Sequence, residues 1–202
     1  MKRINKILIV LLVVAVSYLL YAHTKNVNEQ IARAYDVPAK YTQTSPGADI
    51  VVMDFNNYKC EICRQFHPVL KEALARDGRV RYISRSVTWG DGDWGKTLIT
   101  AAYAAGEQGK FIEMHDAIYE NWPVNDMTGL YRAAESAGID TKQLSRDMNT
   151  ADVNQHAEEN IQFFQDWGIN RTPTLLIGKR NFFKPTLDTT VDDVLREFEK
   201  VR

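Results

Sequence analysis

Met53-Asp54-Phe55-Asn56-Asn57-Tyr58-Lys59-Cys60-Glu61-Ile62-Cys63-Arg64-Gln65-Phe66-His67-Pro68 is the stretch that decides how the rest of the chain is read. It joins an apolar, strand-like run to the start of an amphipathic helix, and the only two cysteines of the chain sit at the junction as a Cys-x-x-Cys pair. The first turn of a helix carries backbone N–H groups without intrahelical partners and the positive end of the macrodipole. A cysteine placed there has its thiolate stabilised and its pKa lowered. The pattern predicts thiol–disulfide chemistry, with Cys60 as the nucleophile and Cys63, one turn in, as the resolving thiol.

Outward from this point the elements follow in order. Ile50 to Phe55 is a short apolar run bounded by turn residues, as for a buried strand. Cys60 to Arg76 places Ile62, Phe66, Val69, Leu70, Ala73 and Leu74 at helical spacing and stops before Asp77-Gly78. Pro68, inside that helix, removes a backbone hydrogen bond and predicts a kink. Arg79 to Val87 reads as a second strand, and a strand–helix–strand unit of this length favours a parallel pair. From about residue 96 to 167 the pattern is helical throughout, with helices predicted at Thr97–Glu107, Phe111–Asn121, Thr128–Ser136, Thr141–Met148 and Ala151–Trp167. Thr174 to Ile177, a turn at Gly178-Lys179-Arg180, Asn181 to Phe183 and a helix over Val191–Val201 close the chain.

The N-terminus has three cations before an apolar run from Ile7 to Ala22, and such a flank favours an inside N-terminus with the remainder on the outer face of a membrane. Sixteen residues is long for a signal-peptide core and slightly short for spanning about 30 Å of hydrocarbon. Leu20-Tyr21-Ala22 puts leucine where a signal peptidase prefers a small residue, which favours an uncleaved anchor over a cleaved signal peptide. Expected segments are therefore a signal anchor or signal peptide over 1–22, a polar arm over 23–48 with a short helix near Asn28–Tyr35, and a domain over 49–202. The location this implies is the periplasmic side of a bacterial inner membrane, anchored or, if cleaved, soluble. Such a compartment permits disulfides. Lys and Arg number 25 against 26 Asp and Glu, so there is no electrostatic footprint of nucleic-acid binding.

Strand, Cys-x-x-Cys, a helix with proline five residues after the second cysteine, a helical insertion, then Thr172-Pro173-Thr174 leading into a strand and a last helix: this order resembles the thioredoxin fold with the insertion typical of DsbA-like thiol–disulfide oxidoreductases. The likeness runs from about Asp49 to Arg202 and implies an α/β fold, preceded here by the membrane or signal segment. It also implies that Asp54, six positions before Cys60, is a buried carboxylate beneath the cysteines and serves as proton carrier. A cis-proline faces the cysteines in that family, and Pro173 matches it, with Thr172 and Thr174 completing a loop that pairs with substrate. Arg171 departs from the family, where glycine is usual. No cofactor is implied beyond the redox-active Cys60–Cys63 disulfide.

The neighbours of the cysteines bear on redox poise. Ile62 stands where strongly oxidising DsbA proteins carry histidine, and Glu61 adds a like charge, so both are expected to raise the Cys60 pKa while Lys59 lowers it. The resemblance implies exported cysteine-containing substrates and a membrane redox partner, either a quinone-linked oxidase or a transmembrane reductant, with the arm offering a homodimer contact. Alternatives are a dedicated reductase or metallochaperone-like protein for cytochrome or copper-site assembly, and a non-catalytic binding module. A structural zinc site wants four ligands, and beyond two thiols there are only His23, His67, His115 and His156. His67 reads as a capped or solvated helix residue. Phe111, Tyr119, Trp122, Phe163, Phe164 and Trp167 read as core, and Trp89 and Trp94 as flanking an irregular loop that offers an apolar contact surface.

Overall fold

Five strands form one mixed sheet in the order β1-β3-β2-β4-β5: β1 Thr42–Thr44, β2 Ile50–Phe55, β3 Val80–Ser84, β4 Thr174–Ile177 and β5 Asn181–Phe183. The computed structural model describes residues 2–88 and 92–202, with side chains from Lys6 onward. β2 and β3 are parallel, Asp54 opposite Ser84, joined by helix α2 (Glu61–Asp77). β2 runs antiparallel to β4, with Asp54 opposite Leu175 and Phe55 opposite Thr174.

The pleat sorts the strands into two faces. Ile50, Val52, Val80, Tyr82, Leu175 and Ile177 point to the side covered by α2 and the last helix, α8 (Val191–Glu199), and pack with Phe66, Leu70, Val194 and Phe198. Asp54 shares the parity of Val52, so a carboxylate is carried into that apolar layer at the end of β2 nearest the helix start. Gly78 ends α2 in the left-handed conformation at φ 67, which a side chain would strain. Between β3 and β4 the described residues form five helices, α3 (Gly92–Gly106), α4 (Phe111–Glu120), α5 (Met127–Ser136), α6 (Thr141–Asp147) and α7 (Ala151–Asp166), in the region where the helical insertion is expected.

The chain divides into two compact units, residues 1–36 and 37–202. The first is one helix, α1 (Lys2–Tyr35), long and apolar enough to cross a membrane by length and composition, with an 18-residue stretch of mean hydropathy 2.3 within Lys6–Tyr35. The arm over 23–48 is corrected by this geometry. Its first half continues α1, because Lys2 to Tyr35 contains neither Gly nor Pro and the polar residues after Ala22 are compatible with helix. Its second half belongs to the domain, which starts near Val37 rather than Asp49. Pro38 precedes a 3-10 turn, Ala39–Tyr41, whose Tyr41 is fully buried, and β1 then adds to β3.

Of the tryptophan pair, Trp89 lies outside the described residues. Trp94, expected in an irregular loop, is part-buried on α3, its Nε1 donating to the Val124 carbonyl at 2.7 Å.

Candidate active site

Cys60 is the N-cap of α2. Its extended backbone (φ −88, ψ 117) turns Sγ back over the helix start, where it accepts from the Cys63 amide at 3.4 Å. Cys60 is half-buried, whereas Cys63 is 2% exposed, and both are free thiols. This difference separates their chemistry. Hydrogen bonding from Cys63, opposed by burial and aided by the Cys63 and Ile62 amides, lowers the Cys60 thiol from 9.0 to about 6. Burial pushes the Cys63 thiol up, reinforced by Cys60. At neutral pH the first is a thiolate and the second a thiol.

The loop before β4 brings its residues to the same place. The Thr172–Pro173 bond is cis, and the Thr172 carbonyl lies 3.6 Å from Cys60 Sγ. Thr172 Oγ1 is buried without a hydrogen-bond partner, and its hydroxyl, turned toward either sulfur, favours the thiolate. Thr174 is fully buried and does something else: its hydroxyl donates to the Arg171 carbonyl at 2.8 Å and closes the turn. Arg171, at the position that departs from the resemblance, donates from Nη2 to the Pro185 carbonyl at 2.6 Å.

Asp54 lies in the apolar layer under the helix start, 4% exposed. Burial raises its carboxyl from 3.8 to about 7, against hydrogen bonds from Tyr82 and Asn56 that favour the charged form and with a smaller upward push from Cys60. Oδ2 accepts from Asn56 Nδ2 at 3.0 Å and Tyr82 OH at 3.2 Å, while Oδ1 has no partner.

Glu61, expected to raise the Cys60 pKa, does not stand unpaired. Its carboxylate is held by Arg64, through Nη2 and through Nε at 3.2 Å, and by Gln65 Nε2 at 2.7 Å. A cation is thus paired with the charge that Glu61 places beside Cys60. Arg64 also stacks over Trp122 at 5.1 Å, and Trp122 Nε1 donates to the Tyr58 carbonyl at 3.1 Å. Trp122, read as core, is 37% exposed. Lys59 is exposed, its amide donating to Asn57 Oδ1 at 2.7 Å, and Ile62 contributes its backbone N–H rather than its side chain.

Beneath the site lies a polar cluster that sequence reasoning did not assemble. Asn56 Oδ1 accepts from Ser86 and from Tyr119 OH at 3.1 Å, and its Nδ2 donates to Ser84 Oγ at 2.8 Å. His115, on α4, is fully buried among Tyr58, Tyr82 and Ser84. His67, read as solvated, is buried, with Nε2 2.9 Å from Asp116 Oδ1 and its ring 5.0 Å from that of His115. Burial favours the neutral Asp116 carboxyl, but hydrogen bonds from His67 and Lys71 prevail and hold it below the usual carboxylate range. The signal that could have found this cluster is the density of polar residues within otherwise strand-like sequence, Asn56-Asn57-Tyr58 and Ser84-Arg85-Ser86.

Comparison with known proteins places these features. The family described as Thioredoxin matches residues 37–196. A thioredoxin-like oxidoreductase from Silicibacter pomeroyi is similar in structure at TM-score 0.69 and 25% identity, over 79% of this chain and 90% of its own. The thiol–disulfide exchange protein alpha-DsbA2 of Wolbachia pipientis superposes at TM-score 0.74 with 19% identity, covering 90% of this chain and 98% of that one. The catalytic domain of Proteus mirabilis ScsC gives TM-score 0.71 at 18% identity, over 85% and 96%. Among curated sequences, a Na(+)/H(+) antiporter NhaA of Salinispora tropica is 25% identical over 68% of this chain, and the match spans 21% of the antiporter's length. Transport is thus named for a protein of which this chain covers about a fifth.

Proposed function

We propose a function from one premise: the chain belongs to the thioredoxin family. It is a thiol–disulfide oxidoreductase of DsbA type, working through Cys60 and Cys63. The observation that carries this reading is the Cys60 sulfur, half-exposed at the N-cap of α2, hydrogen-bonded by the Cys63 amide and held as a thiolate near neutral pH.

In the reducing direction, Cys60 Sγ attacks one sulfur of a client disulfide. That S–S bond breaks, the client's other sulfur leaves as a thiolate, and a mixed disulfide forms. Asp54, with a carboxyl near 7, takes the proton from the buried Cys63 thiol, and the Cys63 thiolate attacks Cys60 Sγ. The client's second thiolate departs, two electrons have passed to the client, and the Cys60–Cys63 disulfide remains. In the oxidising direction the same steps run backwards, with Asp54 returning a proton to Cys63. The pair is its own electron carrier. The Thr172 carbonyl beside Cys60 suits strand-like pairing with an extended client segment.

The Cys60 pKa speaks to direction. A value of about 6 lies between those of a strong oxidant at roughly 3.5 and thioredoxin at about 7. A stabilised thiolate favours the reduced form, so the lowered Cys60 pKa makes the disulfide more oxidising than an unperturbed pair would be. Helix α1 and the cations in its first turns favour an anchored domain on the outer face of the bacterial inner membrane. Clients are then exported proteins with cysteines, and a membrane quinone-linked oxidase or transmembrane reductant resets the pair.

Equilibration with glutathione buffers, followed by insulin-reduction and dithiol-oxidation assays, tests the activity. Neither reduction nor oxidation by wild type, with Cys60→Ala indistinguishable from it, refutes the reading. Labelling of Cys60 in intact spheroplasts with a membrane-impermeant maleimide tests the location, and protection until lysis places the domain inside.

A further inference from the structure

His115 has no part in the exchange steps just described, yet it is fully buried in the layer that holds Asp54. An ionised Asp54 can only accept, so the single hydroxyl proton of Tyr82 points to Asp54 Oδ2 at 3.2 Å. The Tyr82 oxygen then takes the Nε2–H of His115 at 3.3 Å, and His115 Nδ1 accepts from Tyr58 OH at 2.9 Å. Every donor in this chain points toward the carboxylate. When Asp54 is protonated and donates to Tyr82, the order reverses. Tyr82 OH turns to Nε2, and His115 carries its proton on Nδ1, facing Tyr58 OH and Ser84 Oγ at 3.4 Å. The two arrangements differ by the one proton that Asp54 takes from Cys63: Tyr82 keeps its single proton and turns it from Oδ2 to Nε2, and the imidazole gives its Nε2 proton to solvent and takes one from solvent on Nδ1, with no net change of charge.

We propose that His115 is a positioning residue for the dithiol chemistry, a neutral imidazole whose tautomer follows the protonation of Asp54 through Tyr82. The proposal rests on Asp54 as the proton carrier. A tautomer that follows Asp54 needs an imidazole that does not charge, and its surroundings provide this. Burial disfavours the imidazolium, with His67 on α2 and Lys71 acting the same way and only Asp116, its neighbour on α4, acting against them. Tyr82 on β3, Tyr58 after β2 and Tyr119 on α4 complete the ring of titratable groups, and burial raises all three hydroxyls, so they stay neutral.

The full chain in detergent micelles, reduced and labelled with 15N-histidine and 13C-aspartate, is titrated from about pH 5 to about pH 9, a range that brackets the Asp54 carboxyl. Long-range 1H–15N couplings report the tautomer of His115, and the carboxyl 13C shift reports Asp54 independently. The expected result is Nε2–H at high pH and Nδ1–H at low pH, with the Asp54 midpoint, and a single tautomer throughout in Asp54→Asn. If Asp54 titrates while His115 keeps one tautomer or becomes doubly protonated, the inference is refuted and the carrier stands. If Asp54 does not titrate in this range, the carrier reading fails and this inference with it. In turnover, His115→Phe should move the Asp54-linked limb of the pH–rate profile up by about half a unit, roughly threefold in ionised fraction at the midpoint. A uniformly lower rate with the limb in place is the behaviour of a packing residue and refutes the positioning role.

Discussion

Replacing Asp54 with asparagine should change the pH dependence of stability in a direction that follows from where the carboxyl sits. Burial raises its pKa from 3.8 to about 7, so the folded protein holds that proton more tightly than the unfolded chain does. Below about pH 4 the group costs nothing. As pH rises toward 7 the unfolded chain releases the proton first and stability falls, and above 7 the penalty is constant. Roughly three pKa units correspond to about 4 kcal/mol at most. The asparagine side chain is neutral at every pH and keeps an oxygen for Tyr82, so the variant's stability should match wild type near pH 4 and exceed it by ~2–4 kcal/mol near pH 8. Cys60 acts oppositely in reduced protein. Its lowered pKa adds stability as pH rises from about 6 toward 9, and this gain is lost as pH falls through 6. The disulfide form has no such proton, so urea unfolding of oxidised domain 37–202, wild type against Asp54→Asn, isolates the carboxyl. A difference that stays constant from pH 4 to pH 8 would show Asp54 ionising as in water and refute the argument from burial. The same variant should slow turnover, because the Cys63 thiol loses its base.

Other changes test separate parts of the site and fold. Cys63→Ala should accumulate mixed disulfides with clients and Cys60→Ala should not, and iodoacetamide labelling of Cys60 should show a midpoint near pH 6; equal trapping by both variants would overturn the assignment of roles. Thr172→Val removes a buried hydroxyl without a partner while keeping its shape, so thermal stability should hold or rise by ~1 kcal/mol while the Cys60 midpoint moves up; an unchanged midpoint would mean the hydroxyl does not serve the sulfurs. Gly106→Ala places a methyl 2.4 Å from Tyr41 Cε1, a ring too buried to yield, and should cost about 1–3 kcal/mol in chemical denaturation; wild-type stability would show that the Ala39–Tyr41 turn is not anchored against α3.

Elements whose conformation and burial share one cause are legible from residues alone. Ile50–Phe55, Thr174–Ile177 and Asn181–Phe183 are strands at the residues predicted, since each is a short apolar run between turn residues. β1 is not legible in this way, because Thr42-Gln43-Thr44 has no apolar alternation and its strand state comes from the free edge of β3. The end of α1 lies beyond the change of polarity at His23, where the arm is expected to begin. Polarity reports the surrounding medium, and only Pro38 reports the backbone.

The sequence by itself determined the fold class and singled out Cys60 and Cys63 as the pair to read, because a Cys-x-x-Cys at a strand-to-helix junction is a local arrangement whose electrostatics come from the helix start. Tertiary structure alone decided what surrounds it. Asp54 meets Tyr82, Tyr82 meets His115 and Asn56 meets Tyr119 across separations of 28, 33 and 63 residues, and no periodicity encodes such pairings. Arg64 pairs with Glu61 through side-chain rotamers that the motif's spacing does not reveal. A buried polar group is stable only with partners, and the fold supplies those partners by closing layers over one another. For that reason the candidate nucleophile could be read from sixteen consecutive residues, Met53 to Pro68, and the polar groups around it only from the folded chain.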